Sequence, residues 1–135
     1  MIADALLAET EGLEFDALGG MDMGATPIAA CFGMRAHEKG QDITVFVVRK
    51  SLKAHGTQKR IEGPLPESPG RVVIVDDVVT SGGSLIQAIR VAQEAGHTVV
   101  KAFSVLDRES GGMEKILETG AAYQPLVTVS ELGLV

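Results

Sequence analysis

The chain is 135 residues long, with a net charge of −6, 45% apolar and 4% aromatic residues, and no tryptophan. That length suits one domain spanning 1–135, with a core of its own and no room for a second. The acidic balance argues against a general nucleic-acid or membrane binder. The lone Cys31 rules out an intramolecular disulfide and is expected to be a small buried hydrophobe in a reducing compartment. With no basic leader before an apolar run and no stretch of transmembrane length, a cytoplasmic location is expected.

In chain order, residues 2–10 predict a short helix with Ile2, Ala5, Leu6 and Leu7 on its apolar side, and Phe15–Leu18 a short strand. Gly19, Gly20 and Gly24 punctuate a loop, and Pro27 suits the first turn of a helix running to about His37. Gly40 and Asp42 mark a turn before the β-branched strand Ile43–Val48. Residues 49–70 lack apolar periodicity and are rich in Gly and Pro, a loop too long for a compact domain unless it serves a function. Strand 72–75 follows, then a helix over 84–95 closed by Gly96, burying Leu85, Ile86, Ile89 and Ala92 or their neighbours. A strand over 98–105, a short helix at 114–118 ended by Gly120, and a strand over 123–129 complete the series. His37 and His97 read as helix-end or surface residues. This alternation predicts an α/β fold: a parallel, doubly wound sheet of about five strands with flanking helices and right-handed crossovers. Ligands in such sheets bind beyond the carboxyl ends of the strands. The loops at 18–24, 49–63, 76–84 and 107–112 all begin there.

The most informative stretch is Val72-Val73-Ile74-Val75-Asp76-Asp77-Val78-Val79-Thr80-Ser81-Gly82-Gly83-Ser84. An apolar strand, a loop of small and hydroxyl residues and a helix start make an anion site, because free backbone N–H groups and the helix dipole favour a phosphate. Asp76 and Asp77 cannot serve that phosphate, but they suit sugar hydroxyls or a hydrated metal. A phosphate cradle beside a diol clamp describes a ribose 5-phosphate. No P-loop, Rossmann fingerprint, H-E-x-x-H or paired C-x-x-C is present, so those phosphate and zinc readings lack support.

This stretch resembles the signature of the type I phosphoribosyltransferases, which bind phosphoribosyl pyrophosphate (PRPP). The resemblance implies that Asp76 and Asp77 hold the ribose 2′ and 3′ hydroxyls. It places Val78, Val79, Thr80, Ser81, Gly82, Gly83 and Ser84 around the 5′-phosphate. By itself, Gly20-Met21-Asp22-Met23-Gly24-Ala25-Thr26-Pro27 fits a plain tight turn. Beside the first motif it resembles the family's pyrophosphate loop, with Asp22, Met23 and Gly24 against PRPP. Many relatives have a basic residue there, so cations must come from elsewhere.

Arg49, Lys50, Lys53, Lys59 and Arg60 lie between 49 and 60 with no acid among them and His55 in the middle. Alone, such a run also fits a solvated face. The pattern Arg49-Lys50-x-x-Lys53-x-His55-Gly56 after an apolar strand, with Gln58-Lys59-Arg60-Ile61-Glu62-Gly63 beyond it, is similar to the catalytic loop of the orotate phosphoribosyltransferase branch. Leu106-Asp107-Arg108 is open to a surface salt bridge, yet it too resembles that branch, where an Arg in this context contacts the base. A guanidinium fork suits the carboxylate and carbonyls of orotate. The resemblance further implies Thr80 near the base, with Lys53, His55, Asp76 and Asp77 as catalytic residues. Arg49, Lys50, Lys53 and His55 would neutralise pyrophosphate. Mg²⁺ would be held mainly by substrate oxygens, and the homodimer would share its active sites. The implied reaction converts orotate and PRPP into orotidine 5′-monophosphate and pyrophosphate. Two alternatives stay open: another PRPP-dependent nucleobase salvage transferase, or a non-catalytic PRPP-binding regulator. The family also implies a hood segment ahead of the first helix that carries part of the orotate site. This sequence starts after it, so near-normal PRPP binding with weak orotate binding is expected.

Overall fold

The computed structural model describes residues 2–50, 60–64 and 70–133. Helix α1 (Ile2–Glu9) and strand β1 (Ala17–Met21) open the chain, followed by α2 (Thr26–Glu38) and β2 (Thr44–Val48). Then come β3 (Ile61–Glu62), β4 (Arg71–Val79), α3 (Gly83–Glu94), β5 (Thr98–Asp107), α4 (Gly112–Leu117) and β6 (Ala122–Thr128). The six strands form one sheet in the order β3-β2-β1-β4-β5-β6, parallel except for β3, which runs antiparallel to β2.

The central strands are covered on both faces, which is why β4 reads as an unbroken apolar run. Val72 and Ile74 point to one layer with Leu85, Ala88, Ile89 and Ala92 of α3 and Ile116 of α4. Val73 and Val75 point to the other, with Leu6 and Leu7 of α1 and Ala29, Phe32 and Ala36 of α2. The alternation follows from the two-residue period of a strand. Phe15 is half-buried and packs its ring 6.3 Å from that of Phe32.

Several expectations are corrected. The sheet has six strands rather than about five, because β3 falls inside the segment read as irregular. It is tied to β2 by Val47 against Glu62 and Val48 against Ile61. Arg60 reinforces that pairing by donating to the carbonyls of Arg49 and Lys50 at 3.1 and 2.8 Å. Gly19 and Gly20 belong to β1, which ends three residues beyond the predicted strand, and the loop proper starts at Asp22. Strand β4 continues to Val79, so the acid pair lies within the strand rather than beyond it. Ile2 is exposed while Ala3, Leu6 and Leu7 form the buried stripe of α1. Cys31 is exposed, because the buried stripe of α2 runs through Ala29, Phe32 and Ala36 and residue 31 lies off it. His37 is exposed as expected, but His97 is buried, its Nδ1 accepting a hydrogen bond from the Gly70 N–H at 3.1 Å.

Candidate active site

Strand order reverses between β1 and β4: the chain moves outward to β2 on one side and to β5 and β6 on the other. The carboxyl ends of β1 and β4 therefore open into a crevice, the usual ligand position in such sheets. The loops following both strands carry the candidate residues.

After β4, residues Val78–Leu85 and Asp76 enclose a hollow of about 120 Å³, the scale of one oxyanion. Gly82 supplies the left-handed turn (φ 86°) that starts α3, and no side chain caps that helix. Its first-turn N–H groups are left for an anion. Behind the loop stands Gly112, where a Cβ would lie 2.7 Å from the Thr80 carbonyl oxygen and 3.1 Å from the Gly82 nitrogen. The start of α4 thus buttresses the cradle.

Asp76 is buried, and its Oδ1 accepts the Asp77 N–H at 2.8 Å. Burial pushes its carboxyl up to about 6; hydrogen bonding and charge from the Asp77 side chain add to the rise, and the Ser84 hydroxyl opposes it. Asp77 is exposed, with its Oδ1 accepting the Val78 N–H at 2.7 Å. The pair therefore presents one shielded and one accessible carboxylate.

After β1, the Asp22–Met23 peptide is cis. Thr26 Oγ1 donates to Asp22 Oδ1 at 2.9 Å across the first turn of α2. Gly24 packs directly on the acid pair, where a Cβ would lie 2.7 Å from Asp77 Oδ1. The loop with its exposed Asp22 and Met23 and the strand with its acids thus form one surface. A wider hollow of about 630 Å³ lies alongside, lined in part by Asp22, Met23, Arg49, Lys50 and Glu62. Arg49 faces into an ion pair with Glu62 at 2.8 Å rather than into the small cradle. Arg108 is exposed, and its N–H donates to the Val79 carbonyl at 2.9 Å, which brings it beside Thr80.

Lys53 and His55 lie outside the described residues. The remaining predicted positions gather at the carboxyl ends of β1, β2, β4 and β5. Sequence reasoning did not single out Gly112, nor Ser104 and Tyr123, whose hydroxyl oxygens lie 2.6 Å apart with Tyr123 donating to Asp107 Oδ2 at 2.8 Å, next to Arg108. Gly112 falls at the end of the predicted 107–112 loop, and nothing in the sequence ties it to residues 80–84. Tyr123, the chain's one tyrosine, carried only the signal of a polar-tipped aromatic in a strand.

Among the described residues, no group of three or more His, Cys, Asp or Glu converges as a metal cage. The exposed carboxylates of Asp22 and of Asp77, the latter against Gly24, are hard oxygen donors of the kind that meet the water shell of Mg²⁺. The described helices include none long and apolar enough to cross a membrane.

A switch-point crevice holding an oxyanion cradle, an acid pair and a second glycine loop is the plan of a PRPP-binding transferase. The phosphoribosyl transferase domain model matches residues 5–118, and the chain belongs to that family. Its relatives specify the branch, the orotate phosphoribosyltransferases. The orotate phosphoribosyltransferase of Streptomyces coelicolor is 45% identical over 136 residues, 99% of this chain and 74% of that one. The Mycobacterium tuberculosis orotate phosphoribosyltransferase in complex with Fe(III) dicitrate superposes with a TM-score of 0.85 at 36% identity, covering 98% of this chain and 74% of that one. The same enzyme in complex with PRPP gives 0.81 at 32% identity, again over 98% and 74%.

Proposed function

We propose that the chain transfers the 5-phosphoribosyl group from PRPP to orotate, giving orotidine 5′-monophosphate and pyrophosphate, a step in pyrimidine nucleotide synthesis. The observation that supports this reading is the contact of Gly24 with Asp77, which joins the loop we read as pyrophosphate-binding to the acids we read as the diol clamp, beside the hollow we read as the phosphate cradle. PRPP needs those three subsites side by side.

The bond from C1′ to the pyrophosphate oxygen breaks with its electron pair leaving on oxygen. A ring nitrogen of orotate forms the new bond to C1′, and its proton passes to the departing pyrophosphate. Positive charge gathers on the sugar and negative charge on the leaving group, so the enzyme's task is positioning and electrostatics. Asp76 and Asp77 hold the 2′ and 3′ hydroxyls and favour the cationic ribosyl. Residues 80–84 anchor the 5′-phosphate through backbone N–H groups. The backbone of 22–24 and the cations Arg49, Lys50, Lys53 and His55 receive pyrophosphate. Mg²⁺, when bound with PRPP, spreads the charge of the leaving group. Arg108, next to Thr80, meets the carboxylate and carbonyls of orotate. The family resemblance supports a homodimer in which Arg49 and Lys53 of one protomer reach the other protomer's site.

The test is a nucleobase screen with PRPP and Mg²⁺, following both pyrophosphate release and nucleotide product. Orotidine 5′-monophosphate formation from orotate alone supports the assignment. Turnover of a purine or uracil instead would make this a salvage enzyme, and PRPP binding without pyrophosphate release would make it a sensor.

A further inference from the structure

A chain of hydroxyls runs across the sheet and ends on a buried carboxylate. Ser104 sits opposite Asp76 in the β4–β5 register. Its Oγ is 2.6 Å from Tyr123 Oη, and Tyr123 donates to Asp107 Oδ2 at 2.8 Å. Since the phenol proton goes to the carboxylate, Ser104 is the donor in the first bond. Asp107 is 2% exposed, and its Oδ1 accepts the Glu109 N–H at 2.7 Å.

That second bond shapes the turn that carries Arg108. Glu109 has a φ of 59°, in the left-handed region, and a carboxylate bonded to the N–H two residues on stabilises such a turn. The Glu109 side chain ties the turn to Ser130 N–H at 2.8 Å, while Arg108 N–H is held by Val79. Arg108 is thus presented by a turn whose inner support is the Asp107 carboxylate. Among the described residues, Tyr123 is the side-chain donor that support uses. Burial and the neighbouring Asp107 charge push the phenol up, so it stays protonated and able to donate.

We propose that Tyr123 is a positioning residue for the nucleobase subsite: by holding Asp107 it sets the direction in which Arg108 meets the orotate carboxylate. This rests on the reading of Arg108 given above. The 80–84 loop is braced by Gly112 against Thr80, a contact that does not use Tyr123, so the effect should fall on the base.

Tyr123→Phe removes one hydroxyl and keeps the ring. Steady-state kinetics with both substrates should show the KM for orotate rising about tenfold, in line with loss of a hydrogen bond to a charged group. The KM for PRPP should stay within about twofold, and circular dichroism should show an intact fold. Asp107→Asn is an independent variant. Its Nδ2 can donate to Tyr123 Oη while the phenol proton turns to Ser104, so the turn keeps its support and the KM for orotate should rise no more than about threefold. Arg108→Ala should raise it more than Tyr123→Phe does. An unchanged orotate KM in Tyr123→Phe, or equal rises for both substrates, overturns the positioning role, as does a tenfold rise in Asp107→Asn. An unchanged orotate KM in Arg108→Ala overturns the reading of Arg108 and the proposal with it. A large effect there with none in Tyr123→Phe overturns the proposal alone.

Discussion

Gly24 lies with its backbone against the carboxylate of Asp77, so that a Cβ at position 24 would stand 2.7 Å from Oδ1 and 2.9 Å from Cγ. The 22–24 loop and the acid pair, proposed above as pyrophosphate loop and diol clamp, are therefore mechanically one unit. Gly24→Ala should push the Asp77 carboxylate off its bond to the Val78 N–H while leaving the core untouched. We expect a stability loss of about 1 kcal/mol, at the low end for overpacking, and a PRPP affinity lower by about tenfold. Calorimetry with PRPP and Mg²⁺ measures the second, and an unchanged affinity would break the link between loop and clamp.

The two acids should differ in what they cost the fold. Burial raises the folded-state Asp76 carboxyl from 3.8 to about 6. The folded protein then holds that proton more tightly than the unfolded chain. The stabilisation is full below about pH 3.8 and is lost as pH rises through about 6. Asp76→Asn should therefore unfold at a higher temperature than the parent above about pH 7, with the gap closing toward about pH 4. A constant gap across that range would contradict the assigned cause.

Asp76→Asn and Asp77→Asn keep size and remove charge. Turnover should fall roughly ten- to a thousandfold in each, the range for a lost electrostatic contact in a transition state. Full turnover in the double variant would remove the acid pair from the mechanism.

Gly112 is nearly thirty residues from the phosphate loop in sequence, yet its Cβ position lies 2.7 Å from both the Thr80 carbonyl oxygen and Val79 Cγ1. Gly112→Ala must move backbone, not the tip of a flexible side chain. We expect PRPP affinity to drop by an order of magnitude or more, because roughly 1–3 kcal/mol of overpacking would fall on the cradle. Phosphate titration followed by NMR would locate the change, which should centre on residues 80–84.

Lys53→Ala should lower kcat more than it raises the KM for PRPP, since charge on the leaving pyrophosphate is largest in the transition state. Mixing Lys53→Ala chains with Asp77→Asn chains should recover part of the activity through hybrid dimers. No recovery, with chain exchange verified by mass spectrometry, would mean that each site is built from a single chain.

The run Val72–Val75 and the Thr80–Ser84 loop before α3 were readable as strand and helix entry because those structures are local. A buried parallel strand needs continuous apolar residues, and a phosphate loop needs small residues before a helix start. The helices were legible for the same reason, through apolar periodicity and terminal glycines. The short β3 was not, since two residues against β2 leave no period to detect. Cys31 was misplaced because a lone residue does not reveal which face of its helix meets the sheet, and His97, in the connection between α3 and β5, because no local pattern shows that its ring reaches the Gly70 N–H.

The residue pattern therefore specifies the chemistry available: an acid pair, a hydroxyl-glycine loop, a basic segment and an arginine, each at the end of a predicted strand. Folding alone brings particular ones into contact. It set Gly24 on Asp77 and Gly112 on Thr80, and it buried Asp76 while leaving its neighbour exposed. It also ran the Ser104–Tyr123–Asp107 chain under Arg108. The physical reason is that these contacts join segments far apart in the chain. Sheet order and register create them, and neither is encoded in any local window of residues.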